Sequence, residues 1–339
     1  MHRRFANTCT LSIGFLQLSA VGGVFLISGC AAWQPFSDRS TLAESSGAVL
    51  PIAPFSPRDL NMFEGATGRT LAWADLMAAA SAADVTFIGE RHDDPVGHQV
   101  QLAVYEELLA GYAGSAVSLE HLERNEQPLV TQYLAGGLTA DEFIDQTKSR
   151  NWAGKDSWVP YFQPMIDAAK VGGGVVIAAN APRSYVSRAG KEGYDELRAL
   201  PPDEQLLFDA PVTIDSGRYR DRFRNIMLQE GESIDDDEVI ARIDQRFHGQ
   251  QVWDETMGRS VARALAQGTP KVVHCAGCFH IEYEGGTVLA LRRAAPKARV
   301  LTITVIDAAS DRLRESERDA AHIVIYGIPV SRREEVETK

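Results

Sequence analysis

Two stretches of this chain hold residue types that do acid–base or metal chemistry. The first, FIGERHDDPVGHQVQ, carries Glu90, His92 and His98 just past an apolar run. The second, HCAGCFH at 274–280, places two histidines and two cysteines within seven positions. Carboxylates and imidazoles at short spacing supply either ligands for a divalent metal or a general acid–base pair. The second stretch is one residue too long for a c-type haem attachment signature, which needs C-x-x-C-H where this chain has C-x-x-C-x-H. A four-ligand cage from His274, Cys275, Cys278 and His280 fails on geometry, because adjacent residues of a strand point to opposite faces. The stretch therefore reads as a strand that delivers His280 to a shared site.

The elements that must position these residues follow from apolar patterning. Short apolar runs at 84–89, 115–120, 174–180, 271–277, 300–306 and 322–328 read as buried parallel strands separated by helices. In HQVQLAVYEELLAG, Leu102, Tyr105 and Leu109 share one helical face, and His98 lies on it at the first turn. Trp253, Met257, Val261 and Leu265 make a second stripe. Residues 185–250 are charged, contain no strand-like run, and read as a smaller helical insertion. The fold class is thus α/β: a mostly parallel sheet with helices on both faces.

Strand ends sharpen the site. SAVSLE ends in Glu120, VVIAAN ends in Asn180 with Arg183 after it, and the 271–277 strand leads to His280. Ligands of open α/β sheets bind at this carboxyl edge. Each residue also has a structural alternative. Glu90 and Asp254 suit helix N-termini, His98 can satisfy backbone groups, Glu120 can pair with Arg124 or Arg183, and mid-strand His274 suits packing.

The chain has 339 residues and a formal charge of −12, with no basic stripe, which argues against nucleic acid as a partner. It opens on MHRR, an apolar run and LISGC, the layout of a secretory signal peptide (1–29) ending in a lipobox. Cys30 would then be acylated, and loss of Arg3 and Arg4 would leave the mature chain more negative still. Residues 30–69 read as a flexible tether to a membrane, 70–330 as the folded domain and 331–339 as a polar tail. Cys275 and Cys278 remain as thiols. An extended i, i+3 pair spans about 10 Å, so a disulfide, which needs under ~7 Å, requires a turn at Ala276-Gly277.

The lipobox, GERHDDPVGHQVQ, SLEHLERNEQPLVTQYLAG, VVIAANAPR, QQVWDETMGRSVA and AGCFHIEYEGG together resemble the ChaN-like family of bacterial iron-regulated lipoproteins. That family is related in fold to erythromycin esterases and the TIKI/TraB group. The resemblance runs in order from about residue 70 to 306. It implies haem binding at the envelope, on the outer membrane facing the periplasm, by a dimer that holds haem between subunits and serves an iron or haem receptor. It further implies a tyrosine ligand, for which Tyr219 and Tyr194 are the candidates, with His98, Asn180 and Arg183 around the cofactor. The esterase relatives imply the alternative, a hydrolase using Glu90, His92, Glu120 and His280, with Glu90, His92 and His280 as ligands of a divalent metal in a metal-dependent version.

Overall fold

The computed structural model describes residues 55–328. The signal segment, Cys30 and the polar tail lie outside the described residues. Eight strands form one sheet in the order β2-β1-β8-β7-β3-β6-β4-β5. A short hairpin, β1 (Asn61–Glu64) and β2 (Thr70–Leu71), leads to helix α1 (Trp73–Ala82). Then come β3 (Val85–Glu90), α2 (Pro95–Gly111) and β4 (Ala116–Glu123). Four helices follow: α3 (Gln127–Leu134), α4 (Ala140–Thr147), α5 (Trp158–Tyr161) and α6 (Gln163–Gly172). After β5 (Val175–Asn180) the chain runs through α7 (Arg183–Glu192), α8 (Tyr194–Arg198), α9 (Arg218–Met227) and the 30-residue α10 (Asp237–Ala266). It closes with β6 (Val272–Gly277), α11 (Cys278–Ile281), α12 (Gly286–Ala294), β7 (Val300–Ile306) and β8 (Ile323–Tyr326).

The six strands from β8 to β5 are parallel. Their apolar runs are continuous because both faces are covered. On one face Ile88, Leu119, Val273, Cys275 and Ile303 pack under α1 to α6. On the other, Val85, Phe87, Val272 and Ala276 pack under α10, α11 and α12. Alternation along each strand thus assigns every edge residue to a face.

Three sequence expectations change. Part of the expected tether is structured: β1 pairs antiparallel with β8, since Met62 and Phe63 are buried and extend the core across the sheet. The helical insertion at 185–250 is present as α7 to α9, but α10 runs unbroken to Ala266, so the insertion is rooted in the helix that covers the sheet. The region from α3 to α6 is a second helical excursion, between β4 and β5. Its Gln127 caps the outer edge of the sheet, accepting from Ala178 N at 2.8 Å and donating to Val176 O at 3.0 Å. A side chain in place of a neighbouring strand blunts an exposed edge.

Candidate functional site

The site lies where β3, β4 and β6 end. Glu90 closes β3, in register with Gly277, the last residue of β6. On the α2 face, Glu90 is fully buried and three histidines surround it. His92 Nδ1 and His121 Nε2 both reach Glu90 Oε1, at 3.1 and 3.0 Å. His98 Nδ1 is 2.8 Å from Glu90 Oε2, but it makes its hydrogen bond to Gln101 Oε1 at 3.1 Å, so Oε2 accepts none. The other nitrogen of His98 meets the carbonyl of His92 at 3.0 Å. Both partners of His98 are acceptors, so its ring carries both protons and pairs as an imidazolium with Glu90. Burial alone would raise the Glu90 pKa, yet the surrounding imidazoles hold it well below the usual carboxylate range. Burial is likewise overcome at His92 and His98, whose pKa values are raised by Glu90, whereas burial prevails at His121 and lowers it.

Local sequence explains this placement. Asp94 accepts from Val96 N and Gly97 N, and Pro95 occupies the first turn, so α2 starts in time to put His98 beside the strand end. Trp152, from the loop between α4 and α5, stands edge-on to His92 and His121, with ring centroids 4.7 and 4.4 Å away.

On the opposite face a second cluster forms. Glu120 accepts from Gly277 N at 2.6 Å and faces His280 Nε2 at 3.3 Å. His280 Nδ1 donates to Asp254 Oδ1 at 2.7 Å. Asp254 also accepts from Thr287 Oγ1 at 2.6 Å, from Gln250 Nε2 at 3.2 Å and from the Tyr219 hydroxyl. Burial would neutralise His280, but Glu120 and Asp254 on either side raise its pKa well above the ordinary value. The reciprocal effect of His280 keeps Glu120 ionised despite burial. Two glycines permit this packing. A Cβ on Gly286 would fall 2.5 Å from Tyr219 Cζ, and one on Gly258 would fall 2.6 Å from the Ala290 Cβ of α12.

The two clusters meet across Gly277. A Cβ there would stand 2.8 Å from His92 Cε1 and 3.6 Å from Glu120 Oε2. Above them opens a cleft of about 100 Å³, floored by Glu90, His92, Gly277 and His280. Phe223, Ile226 and Met227 of α9, with Cys278 and Phe279, form its side.

Glu90, His92, Glu120 and His280 therefore gather as expected. His121, which the motif reading passed over, joins them. It lies two residues after Leu119, so strand alternation alone would have placed it on the same face as that core residue, the α2 face that Glu90 also occupies. The expected metal set was Glu90, His92 and His280; among the described residues the ligand atoms that lie within 4.8 Å of one another are those of Glu90, His92 and His121. His280 is already held between two carboxylates. One acid and two imidazoles suit a divalent ion such as zinc, provided it replaces the protons these rings share with Glu90.

The residues expected around a haem do not line the cleft. Tyr219 is buried against Asp254, and Tyr194 donates to Gln251 Oε1 at 3.0 Å. Burial pushes both phenols up, and the Asp254 carboxylate adds to it at Tyr219. His98 is enclosed. Asn180 donates to Glu120 O at 3.0 Å, and Arg183 lies 5.9 Å from the Trp253 ring. His274 is the packing residue the sequence suggested: it bonds Ser118 at 2.9 Å, and burial lowers its pKa to about 3. Cys275 and Cys278 are free thiols, the first buried and the second partly exposed.

Comparison with known proteins places this geometry. No curated protein matches the chain. Among solved structures, ChaN of Campylobacter jejuni, described as binding haem cofacially, is similar with a TM-score of 0.60 at 18% identity, over 81% of this chain and 98% of that one. An erythromycin esterase, EreC, in its open conformation, aligns over 76% of this chain and 79% of its own at 12% identity, with a TM-score of 0.38 that is too low to carry an argument. The model of the family described as "Haem-binding uptake, Tiki superfamily, ChaN" matches residues 76–291, most of the described fold, and the chain belongs to that family.

Proposed function

We infer that this chain binds haem at the bacterial cell envelope and serves iron or haem acquisition. Family membership supports the reading, and one observation carries it at the level of atoms. The cleft sets the apolar side chains of Phe223, Ile226, Met227 and Phe279 beside a floor that holds an imidazole. A haem needs both an apolar surface for its ring and a nitrogen, oxygen or sulfur donor for its iron. In this reading Cys30 is acylated and tethers the protein to the outer membrane facing the periplasm, a second copy completes the haem enclosure, and a haem or iron receptor is its partner. Haemin titrated into purified protein should shift its Soret band, and no shift at micromolar haemin refutes the reading. Replacing Cys30 with Ser should abolish acyl labelling and release the protein from membranes, and retention refutes the anchor.

A second reading rests on a different observation, the chain of Glu120, His280, Asp254 and Tyr219. A hydrolase needs a proton carrier with a fixed tautomer. Asp254 holds the Nδ1 proton of His280, leaving Nε2 to exchange a proton at the cleft with Glu120. A divalent ion held by Glu90, His92 and His121 would supply an activated water. Ester or peptide turnover by the purified protein, lost in the His92→Ala/His280→Ala double variant, supports this reading. Turnover that survives in that variant refutes it.

A further inference from the structure

We propose that the cleft is an acyl pocket, and that this chain hydrolyses carboxylic esters whose acyl part is a short, uncharged hydrocarbon chain. The proposal rests on the hydrolase reading above and names the substrate class of that site.

Three observations set the class. The first is the wall. Phe223, Ile226 and Met227 share one face of α9, and Phe279 of α11 stands beside them. The Phe223 and Phe279 rings lie 5.8 Å apart and Arg222 covers Phe279 at 5.3 Å, so the wall is held by packing of its own. Such a wall takes hydrocarbon and rejects a charged or hydroxylated chain, whose polar groups would lose water without gaining a partner. Polar side chains that border the cleft are already engaged: Arg91 pairs with Asp307 at 2.8 Å, and Gln250 donates to Asp254 at 3.2 Å.

The second is size. A water-sized group needs about 10–15 Å³ of such space, so a cleft of about 100 Å³ takes about seven to ten non-hydrogen atoms. The two oxygens of an ester use part of this, which leaves an acyl chain of about five to eight carbons. The third is the chemistry at the floor. There His280 has Nε2 3.3 Å from Glu120 and Nδ1 on Asp254, next to His92 and Gly277. With the acyl chain against α9, the carbonyl reaches this floor and the alcohol part lies toward the mouth, where little selects it. In the reaction the oxygen of water bonds to the acyl carbon, and the bond from that carbon to the alcohol oxygen breaks. The proton that water gives up passes to the departing oxygen, so the products are the acid and the alcohol. His280 and Glu120 are the groups placed at the floor to carry that proton.

The test uses the full chain purified in detergent, with and without added zinc, and p-nitrophenyl esters of acetate, hexanoate and laurate. Each buried methylene is worth about fourfold in kcat/KM until the cleft is full, so hexanoate should exceed both acetate and the overlong laurate by at least about tenfold. Ile226→Trp enlarges an exposed position of the wall and should move the preference toward acetate. A binding readout stands apart from turnover: hexanamide, an uncharged analogue of the substrate, should slow maleimide labelling of Cys278 in the cleft severalfold, and acetamide should not. Absence of turnover with every ester and with a casein digest assay, or turnover that survives in His92→Ala/His280→Ala, overturns the hydrolase reading and this proposal with it. Casein turnover without ester turnover, equal rates across the three esters, an unchanged preference in Ile226→Trp, or unprotected Cys278 in hexanamide overturns the acyl pocket alone and leaves the hydrolase reading standing.

Discussion

Asp254 is the residue whose removal most directly tests the electrostatics of the site. Its side chain is 2% exposed, and all four of its partners donate to it: His280 at 2.7 Å, Thr287 at 2.6 Å, Gln250 at 3.2 Å and the Tyr219 hydroxyl. Asp254→Ala leaves these donors facing a cavity. Breaking a buried ion pair by removing one partner costs roughly 3–5 kcal/mol. His280 keeps Glu120, which moves the figure toward the lower end, while each stranded hydroxyl adds about 1–3 kcal/mol unless water replaces the carboxylate. We expect about 4 kcal/mol. Asp254→Asn preserves shape but offers two donors to a ring of donors. Tyr219 and Gln250 can reorient to accept, so about 1–3 kcal/mol is expected.

The assay is urea unfolding at several pH values, with the slope checked for constancy. The sign follows from His280, whose folded pKa lies well above its unfolded value of about 6.5. Its contribution is complete below pH 6.5 and is lost as pH rises through the folded value. The gap between wild type and Asp254→Ala should therefore be widest in mild acid and narrow in alkali. Glu120 acts in the opposite sense: its folded pKa is depressed, so its contribution is lost only as strong acid protonates it. A cost below about 1 kcal/mol, or a gap that widens with rising pH, would refute the view that Asp254 holds His280 charged.

Three further outcomes are expected. Gly258→Ala should cost about 1–3 kcal/mol by thermal or urea unfolding, because the new methyl meets the α12 backbone at Thr287 O and Leu291 N, each 2.7 Å away. A neutral result would show that α10 and α12 are not in close contact. Cys278 should react with a maleimide in the native protein, while Cys275, fully buried and with its pKa pushed up by desolvation, should react only after unfolding. Equal rates would contradict the burial of β6. Zinc added to metal-free protein should bind with an affinity that drops at least tenfold in His121→Ala, and binding indifferent to that change would exclude the Glu90, His92 and His121 set.

The sequence by itself determined a good deal. Six apolar runs became the six parallel strands, because strands buried on both faces must be apolar throughout. The rule that ligands collect at strand carboxyl ends then picked out Glu90, His92, Glu120 and His280 before any strand order was known. The β1–β2 hairpin stayed hidden because four residues and two residues leave too short a pattern to read.

What only the tertiary structure decided is which side chains meet, since pairing order is long-range information. With β6 between β3 and β4, Glu90 reaches His121 over a gap that exists because Gly277 has no side chain and the chain turns away into α11. The same order puts Glu120 on the other face with His280, where α10 brings Asp254 from far along the chain. Buried ionisable groups must find partners, and those partners set their charge. Types and spacings could therefore locate the edge, while charge states, the meeting of the two clusters at Gly277 and the enclosure of the two tyrosines emerged only once helices and strands had been packed.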